Sequence, residues 1–268
     1  MIKLLGAHYK KTWFSVPTAL TTDAPTAAHS VMHNPGQLSK PRFNYKNPDY
    51  VIVDTEITIK APVILLISGI CDALATYFES LASAGNNNVC YAGSGDYRPT
   101  MLGMTAAKAC YDVLMRDGRA AVLGARRHLR TAAYENIVEA TVLLSGIGVE
   151  CTGSATAHGI EAGFFALPLE KTVMHGLAVG YTTLIELLIE NRQDYFPRVF
   201  DFARDVGLPV CTADLGLAPE KRDEGLRSLT DTVYGKMWNV LNQPFWFSKQ
   251  VLLDAFYYLD EYAAEHGK

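Results

Sequence analysis

The spacing of hydrophobic residues changes near residue 60. Before it, short β-branched and aromatic segments at 12–16, 42–45 and 50–53 predict strands, and Asn-Pro turn signals separate them. After it, nearly every apolar run has helical periodicity. We therefore predict a mostly α protein, in which a β-rich region of strands and loops at 1–59 precedes an all-helical domain at 60–268.

Helix boundaries can be placed from capping residues. Pro62 suits the first turn of a long apolar helix, and Pro197 is placed to open another that Gly207 ends. Ser248 is a candidate N-cap for the last helix. Further helical segments are predicted at 101–116, at 132–147, around His158 and from 175 to 191.

The strand-rich region has few strands to form a sheet. Its strands would leave open edges, which natural proteins normally cover. Either these strands pack on the helical domain, or a partner completes the sheet. Self-association as a homo-oligomer is one way to cover them.

Composition narrows the class of protein. The chain has 268 residues, 49% hydrophobic and 19% charged, with a net charge of −4, which indicates a compact folded protein. This charge gives no reason to expect nucleic acid or anionic membrane as a partner, despite a basic run at 116–130. Five scattered cysteines without a CxxC pair, and the lack of a signal peptide, predict a reducing cytoplasmic location.

One carboxylate lies in unusual surroundings. Asp72 interrupts the apolar segment 63–78, so this segment is not predicted to span a membrane. A buried charge is costly without a partner, and His158 and His175 on two later helices are candidates. An acid and two imidazoles suit zinc or ferrous iron. The alternative is that each histidine is an ordinary satisfied or exposed side chain.

Several sequence blocks carry a family resemblance. They include Pro17-Thr-Ala-Leu-Thr-Thr-Asp-Ala-Pro25, Gly69-Ile-Cys-Asp-Ala-Leu-Ala-Thr-Tyr-Phe-Glu79, Leu144-Ser-Gly-Ile-Gly148, Ala157-His158 and His175-Gly176. In this order they resemble the iron-containing alcohol dehydrogenase superfamily, most closely its glycerol dehydrogenase branch. The blocks run from residue 17 to residue 176, and the helical pattern continues to the end of the chain.

The resemblance implies a role for each matching residue. Asp72, His158 and His175 match the family's three metal ligands, with Zn²⁺ expected and Fe²⁺ as the alternative. Asp23 matches the acid that contacts glycerol, and Thr18 and Thr21 match the loop that lines the NAD site. The implied reaction is oxidation of a polyol's secondary hydroxyl to a ketone, with the metal as Lewis acid and NAD as hydride acceptor.

The chain also departs from the family. A glycine-rich phosphate loop is missing, since Gly93-Ser-Gly95 and Gly146-Ile-Gly148 lack the strand-turn-helix context, so the NAD site is expected to be incomplete. Cys71 replaces the usual glycine before the ligand aspartate. Glu161 replaces a second histidine and could be a base, an extra ligand or a solvated side chain. His29 and His33, near the expected dinucleotide, could form a stray metal site, but loop roles are favoured.

These observations leave three hypotheses. The first is a glycerol dehydrogenase-like enzyme that lacks most of the nucleotide-binding domain and needs another chain to supply NAD. The second is a non-catalytic metal-binding remnant or interaction module. The third is a lyase of the dehydroquinate synthase type, which Asp at position 72 and the 17–25 block weigh against.

Overall fold

A computed structural model describes residues 2–32, 40–42, 44, 46–90 and 97–266 of the chain. Its α-helices, in chain order, are α1 (Ile2–Tyr9), α2 (Thr55–Thr58), α3 (Val63–Gly85), α4 (Met101–Ala125), α5 (Ala132–Glu139), α6 (Ser145–Thr152), α7 (Thr156–Glu161), α8 (His175–Ile189), α9 (Phe196–Val206), α10 (Arg222–Val233) and α11 (Lys249–Glu265). Its strands are β1 (Phe14–Ser15), β2 (Ser30–Met32), β3 (Lys40–Arg42) and β4 (Tyr50–Val51). The fold is mostly α, as predicted.

Helix α3 is the centre of the helical part. It begins directly after Pro62, and its side chains are buried almost continuously from Leu66 to Ser83. Helices α4 and α8 pack along it, and α6 and α7 complete the group around Asp72. By length and hydropathy α3 could cross a membrane, but 83% of its most apolar window is buried within the protein. Such burial is typical of the core helix of a folded bundle.

The predicted helix at 132–147 is longer than expected and contains a wide turn. Thr131 caps α5, and a π-helical segment, Ala140–Leu144, joins it to α6 without a break. The hydroxyl of Thr141 donates to the carbonyl of Ile137 inside this helix. The π segment therefore sets the rotation of α6, whose first residue, Ser145, faces the site described below.

The region before residue 60 packs on the bundle. The hydroxyl of Thr26 donates to the Val142 carbonyl at 2.5 Å, and the side-chain amide of Asn47 donates to Glu150 at 2.5 Å. Its strands form two small sheets: β1 pairs in parallel with β4, and β2 pairs antiparallel with β3. Packing on the helices is thus one way in which this region is covered. A domain boundary between residues 59 and 60 stays a prediction.

Most predicted elements are present, with shifted ends. Gly207 ends α9 in the left-handed conformation, and the Ser248 hydroxyl accepts from the Val251 amide, both as predicted. The strands are shorter than their apolar runs; β3 ends at Arg42, and residues 43 and 45 lie outside the described part of the chain. Helices α1, α2 and α10 are not among the predicted elements, and α1 and α2 add helices to a region expected to hold only strands and loops.

The crossing of α3 and α8 depends on a residue without a side chain. A Cβ atom on Gly176 would lie 2.0 Å from the Ser68 carbonyl oxygen, which is backbone and cannot move aside. We expect Gly176→Ala to lower the free energy of unfolding by about 1–3 kcal/mol, the usual cost of overpacking. Gly118→Ala is the comparison, because its Cβ would meet only the ring edge of Phe202 at 2.7 Å.

Urea unfolding of both variants tests this expectation. Gly118 lies within α4, where alanine also favours the helix by about 1 kcal/mol, so its variant should be the more stable of the two. Equal stability of the two variants would mean that the close α3–α8 crossing does not constrain the fold.

Candidate metal centre

Three side chains from three helices converge beside the core. Asp72 lies in the middle of α3, His158 in α7, and His175 is the first residue of α8. The Oδ1 atom of Asp72 lies 3.5 Å from Nε2 of His158 and 3.3 Å from Nε2 of His175. One possible ligand atom from each residue lies within 4.8 Å of the others. The three residues singled out in the sequence therefore come together.

This spacing fits one ion. Ligand atoms bound at about 2.1 Å in a tetrahedral arrangement lie about 3.4 Å apart. Asp72 is 3% exposed, and its Oδ1 atom accepts no hydrogen bond of ordinary geometry among the described residues. A buried carboxylate oxygen that faces two imidazole nitrogens at 3.3–3.5 Å is the arrangement expected of a metal ligand.

A carboxylate holds the far side of each imidazole. Oε2 of Glu79 lies 2.5 Å from Nδ1 of His158, and Oε1 of Glu161 lies 3.0 Å from Nδ1 of His175. The other oxygen of Glu79 accepts from the backbone N–H groups of Ala155 and His158, each at 2.9 Å. These contacts direct the Nε2 atom of both rings toward Asp72.

The charges of this cluster shift its pKa values strongly. Burial alone would raise the pKa of Asp72, but the two imidazoles beside it hold that pKa well below its usual range. Burial alone would lower the histidine pKa values, but Glu161 and Asp72 raise the pKa of His175 to about 10. Glu79 and Asp72 likewise raise the pKa of His158 well above its usual value. Without a metal ion, the neighbouring carboxylates therefore favour the positively charged form of both rings, with a proton on each nitrogen.

Asp23 approaches the same place from the N-terminal region. Its backbone N–H donates to Oδ2 of Asp72 at 3.3 Å, and the hydroxyl of Ser145 donates to its carboxylate at 2.8 Å. Burial, followed by the negative charge of Asp72, raises the pKa of Asp23 to about 6. Thr76 hydrogen bonds to Ser145 at 2.8 Å and fixes this hydroxyl.

A cavity of about 510 Å³ opens beside these residues. Its charged and titratable lining residues are Lys3, Asp23, His29, Asp72, His158, Glu161 and His175. The ammonium of Lys3 donates to the carbonyls of Ala24, Ala27 and His29 at 2.5, 2.8 and 3.1 Å. All three protons of this lysine are therefore used by the backbone, and its charge stabilises the loop that carries Asp23.

The other candidate residues differ in whether they line the cavity. Thr18 is exposed and Thr21 is partly buried, and neither lines the cavity, so their role toward NAD stays a prediction. His29 lines the cavity, whereas His33 lies outside the described residues, as do Gly93 and Gly95.

Two further features of the sequence agree with the structure. Gly146 and Gly148 lie inside α6, so they do not form a phosphate loop, as expected. Cys71 is fully buried in the core, where burial raises the pKa of its thiol, and this suits the apolar filler expected there.

Comparison with known proteins identifies the family. No family model matches the chain. It is 36% identical to the glycerol dehydrogenase of Citrobacter freundii over 245 residues, which are 91% of this chain and 66% of that protein. The crystal structure of a probable glycerol dehydrogenase from Sinorhizobium meliloti 1021 superposes with a TM-score of 0.92 at 31% identity, covering 99% of this chain and 74% of that one. The chain belongs to the glycerol dehydrogenase family.

A more distant protein shares the fold. An iron-containing alcohol dehydrogenase from Thermotoga maritima aligns with a TM-score of 0.66 at 18% identity, covering 94% of this chain and 64% of that structure. The glycerol dehydrogenase relatives at 31–36% identity confirm the resemblance inferred from the sequence blocks. The chain spans between about half and two thirds of the length of the curated glycerol dehydrogenases that it matches, from 54% to 66%.

Sequence analysis did not identify every residue at the site. Glu79 was not recognised, although it lies seven residues after Asp72 and therefore on the same face of α3. Lys3 and Ser145 gave no comparable signal. They reach the site through the fold of α1 and through the π turn before α6.

The raised pKa of Asp23 predicts a pH-dependent cost in stability. An acid whose pKa rises from 3.8 to about 6 on folding lowers the stability of the folded protein above pH 6, because the buried group must ionise there. We expect Asp23→Asn, measured without metal, to raise the free energy of unfolding by about 1–3 kcal/mol at pH 8. The gain should disappear as the pH falls from 6 toward 4.

Urea unfolding at pH 4.5 and pH 8 measures this difference. Asp254→Asn changes an exposed aspartate on α11 and serves as the control, for which no pH-dependent gain is expected. A gain for Asp23→Asn that is equal at both pH values would contradict the assigned shift.

Proposed function

We propose that this chain binds a divalent metal ion through Asp72, His158 and His175 and uses it to oxidise a secondary hydroxyl of a polyol to a ketone. The observation that carries the proposal is the convergence of one carboxylate oxygen and two Nε2 atoms at the wall of the cavity. Three protein ligands leave an open position, as in catalytic zinc sites. The mixed nitrogen and oxygen set favours zinc, with ferrous iron as the alternative.

The residues around the site have distinct tasks in this reaction. When bound, the metal would supply Lewis acidity that lowers the pKa of a hydroxyl group. Asp23, whose pKa is about 6, is placed to accept a hydrogen bond from a neighbouring hydroxyl of the same substrate. Ser145 keeps the Asp23 carboxylate in place by donating to it. A substrate with adjacent hydroxyl groups could therefore contact the metal site and Asp23 together.

The charge of the cavity favours a neutral substrate. Its lining carboxylates are Asp23, Asp72 and Glu161, and the protons of Lys3 are all donated to backbone carbonyls. Apart from the proposed metal ion and its two histidine ligands, no lining cation among the described residues is thus available to pair with a carboxylate or phosphate. Glycerol and related diols satisfy this environment, whereas hydroxy acids would add an unpaired negative charge.

The hydride acceptor belongs to the same proposal. NAD is the acceptor that the family implies, with Thr18 and Thr21 at its expected site. Among the described residues, no strand leads through a glycine-rich turn into a helix that could hold a pyrophosphate. We therefore propose that NAD binding requires a nucleotide-binding domain in addition to the residues that the structure describes.

Two further features, an exposed aromatic pair and the state of the cysteines, bear on the proposed partners and location. The edge of the β1–β4 pair exposes Phe14 and Tyr50, whose stacked rings would suit self-association or a partner that completes the sheet. All five cysteines are free thiols, which suits a reducing, cytoplasmic location.

Metal analysis of purified protein tests the ligand set. We expect one zinc or iron per chain in the wild-type protein, and loss of this metal in Asp72→Asn and His158→Ala, because each removes a ligand from a three-ligand site. His8→Ala, which changes an exposed histidine on α1, is the control and should retain the metal. Stoichiometric metal in both site variants would remove the proposed centre.

Binding and turnover test the substrate class. With metal bound, glycerol or 1,2-propanediol should raise the melting temperature, and a 2-hydroxy acid of the same size should not. With millimolar NAD, diol oxidation should be slow and should increase when a nucleotide-binding domain of the family is added in trans. Metal binding without any effect of the diols, with or without that domain, would favour the non-catalytic metal-binding alternative.

A further inference from the structure

The two candidate histidines are held in the same way by two different carboxylates. Glu79 contacts Nδ1 of His158, and Glu161 contacts Nδ1 of His175. Glu79 is completely buried on α3 and accepts two backbone N–H groups as well. Glu161 is the last residue of α7 and lines the cavity with His175.

The position of Glu161 indicates that it is not a fourth ligand. Its Oε1 atom lies 3.0 Å from Nδ1 of His175, whereas the Nε2 atom of that ring faces Asp72. The carboxylate thus contacts the nitrogen that points away from the convergence point. It is also absent from the group of ligand atoms that lie within 4.8 Å of one another.

The His175 side chain is more exposed than that of His158, so a contact that fixes its ring matters more. The side chain of His158 is 23% exposed, and that of His175 is 40% exposed. His175 begins α8, and the preceding residue, Met174, provides no side-chain cap that would fix this helix end. Glu161 is therefore the contact that opposes rotation of the His175 ring into the cavity.

We propose that Glu161 is a positioning residue, which holds His175 through Nδ1 and directs Nε2 toward the metal ion, as Glu79 does for His158. This inference rests on the proposed metal site. It also explains how the chain keeps a metal centre with glutamate at this position. A carboxylate on the far nitrogen fixes the ring tautomer and makes the other nitrogen a stronger ligand, and its loss commonly weakens metal binding 10- to 100-fold.

Cobalt substitution separates positioning from other roles. Metal-free protein would be titrated with Co²⁺, and the dissociation constant and visible spectrum of Glu161→Ala, Glu161→Gln and Glu161→Asp would be compared with the wild type. We expect Glu161→Ala to bind Co²⁺ about 10- to 100-fold more weakly and with an altered spectrum. Glu161→Gln should be intermediate, and Glu161→Asp should recover part of the affinity.

The control is Glu170→Ala, an exposed glutamate in the segment between α7 and α8, which should match the wild type. A cooperative thermal unfolding transition of each metal-free variant would show that it folds. Wild-type affinity and spectrum in Glu161→Ala would overturn the positioning role while leaving the proposed function intact. If Glu161→Ala shows the expected cobalt effect but the wild-type protein does not oxidise polyols, even with the nucleotide-binding domain added, the positioning role would be supported and the proposed function overturned. Failure of the wild type to bind Co²⁺ would overturn both.

Discussion

The buried carboxylate of Asp72 is the constraint on which the site depends. It lies in the middle of a helix that is buried almost continuously from Leu66 to Ser83, where an uncompensated charge would be expensive. The two imidazoles compensate it when they are protonated, with a combined charge of about +2. A divalent cation would replace those two protons without changing the total charge, so one arrangement of side chains would serve both forms. This equivalence is why the surrounding acids, Glu79 and Glu161, can remain in place in either form.

Close helix packing makes the convergence possible. Ligands on α3, α7 and α8 can meet only if these helices approach closely beside Asp72. Gly176, directly after His175, lies against the Ser68 backbone one turn before Asp72. Gly148 similarly lets α6 approach Thr76, which fixes Ser145 and through it Asp23. The small residues around the candidate ligands thus help to form the proposed site, because a Cβ atom at Gly176 would push α8 away from Asp72.

The sequence contained more information about the three candidate metal ligands than about the residues that hold the site in place. Asp72, His158 and His175 could be identified because a charge in an apolar helix and two histidines among small residues are visible locally, and the family blocks supported them. Lys3 and Ser145 could not be identified, since their positions follow from tertiary packing. The long α3, the Gly207 cap and the Ser248 cap were predictable from local rules, whereas the π turn was not. Helix α10 could have been found, because Leu226, Leu229 and Val233 follow helical spacing.

The site contains residues from both sides of the boundary that the change in hydrophobic spacing near residue 60 suggests. Its metal-ligand candidates all come from the helical part, but Asp23 and Lys3 come from the N-terminal region. That region is held against α6 by Glu150, which accepts from the Ala28 amide and the Asn47 side chain. The Lys3 ammonium also donates to three carbonyls of the loop that carries Asp23. Contacts to α1 and to α6 therefore both fix this loop. Residues 1–59 and 60–268 therefore describe two patterns of sequence, while the chemistry depends on the contact between them.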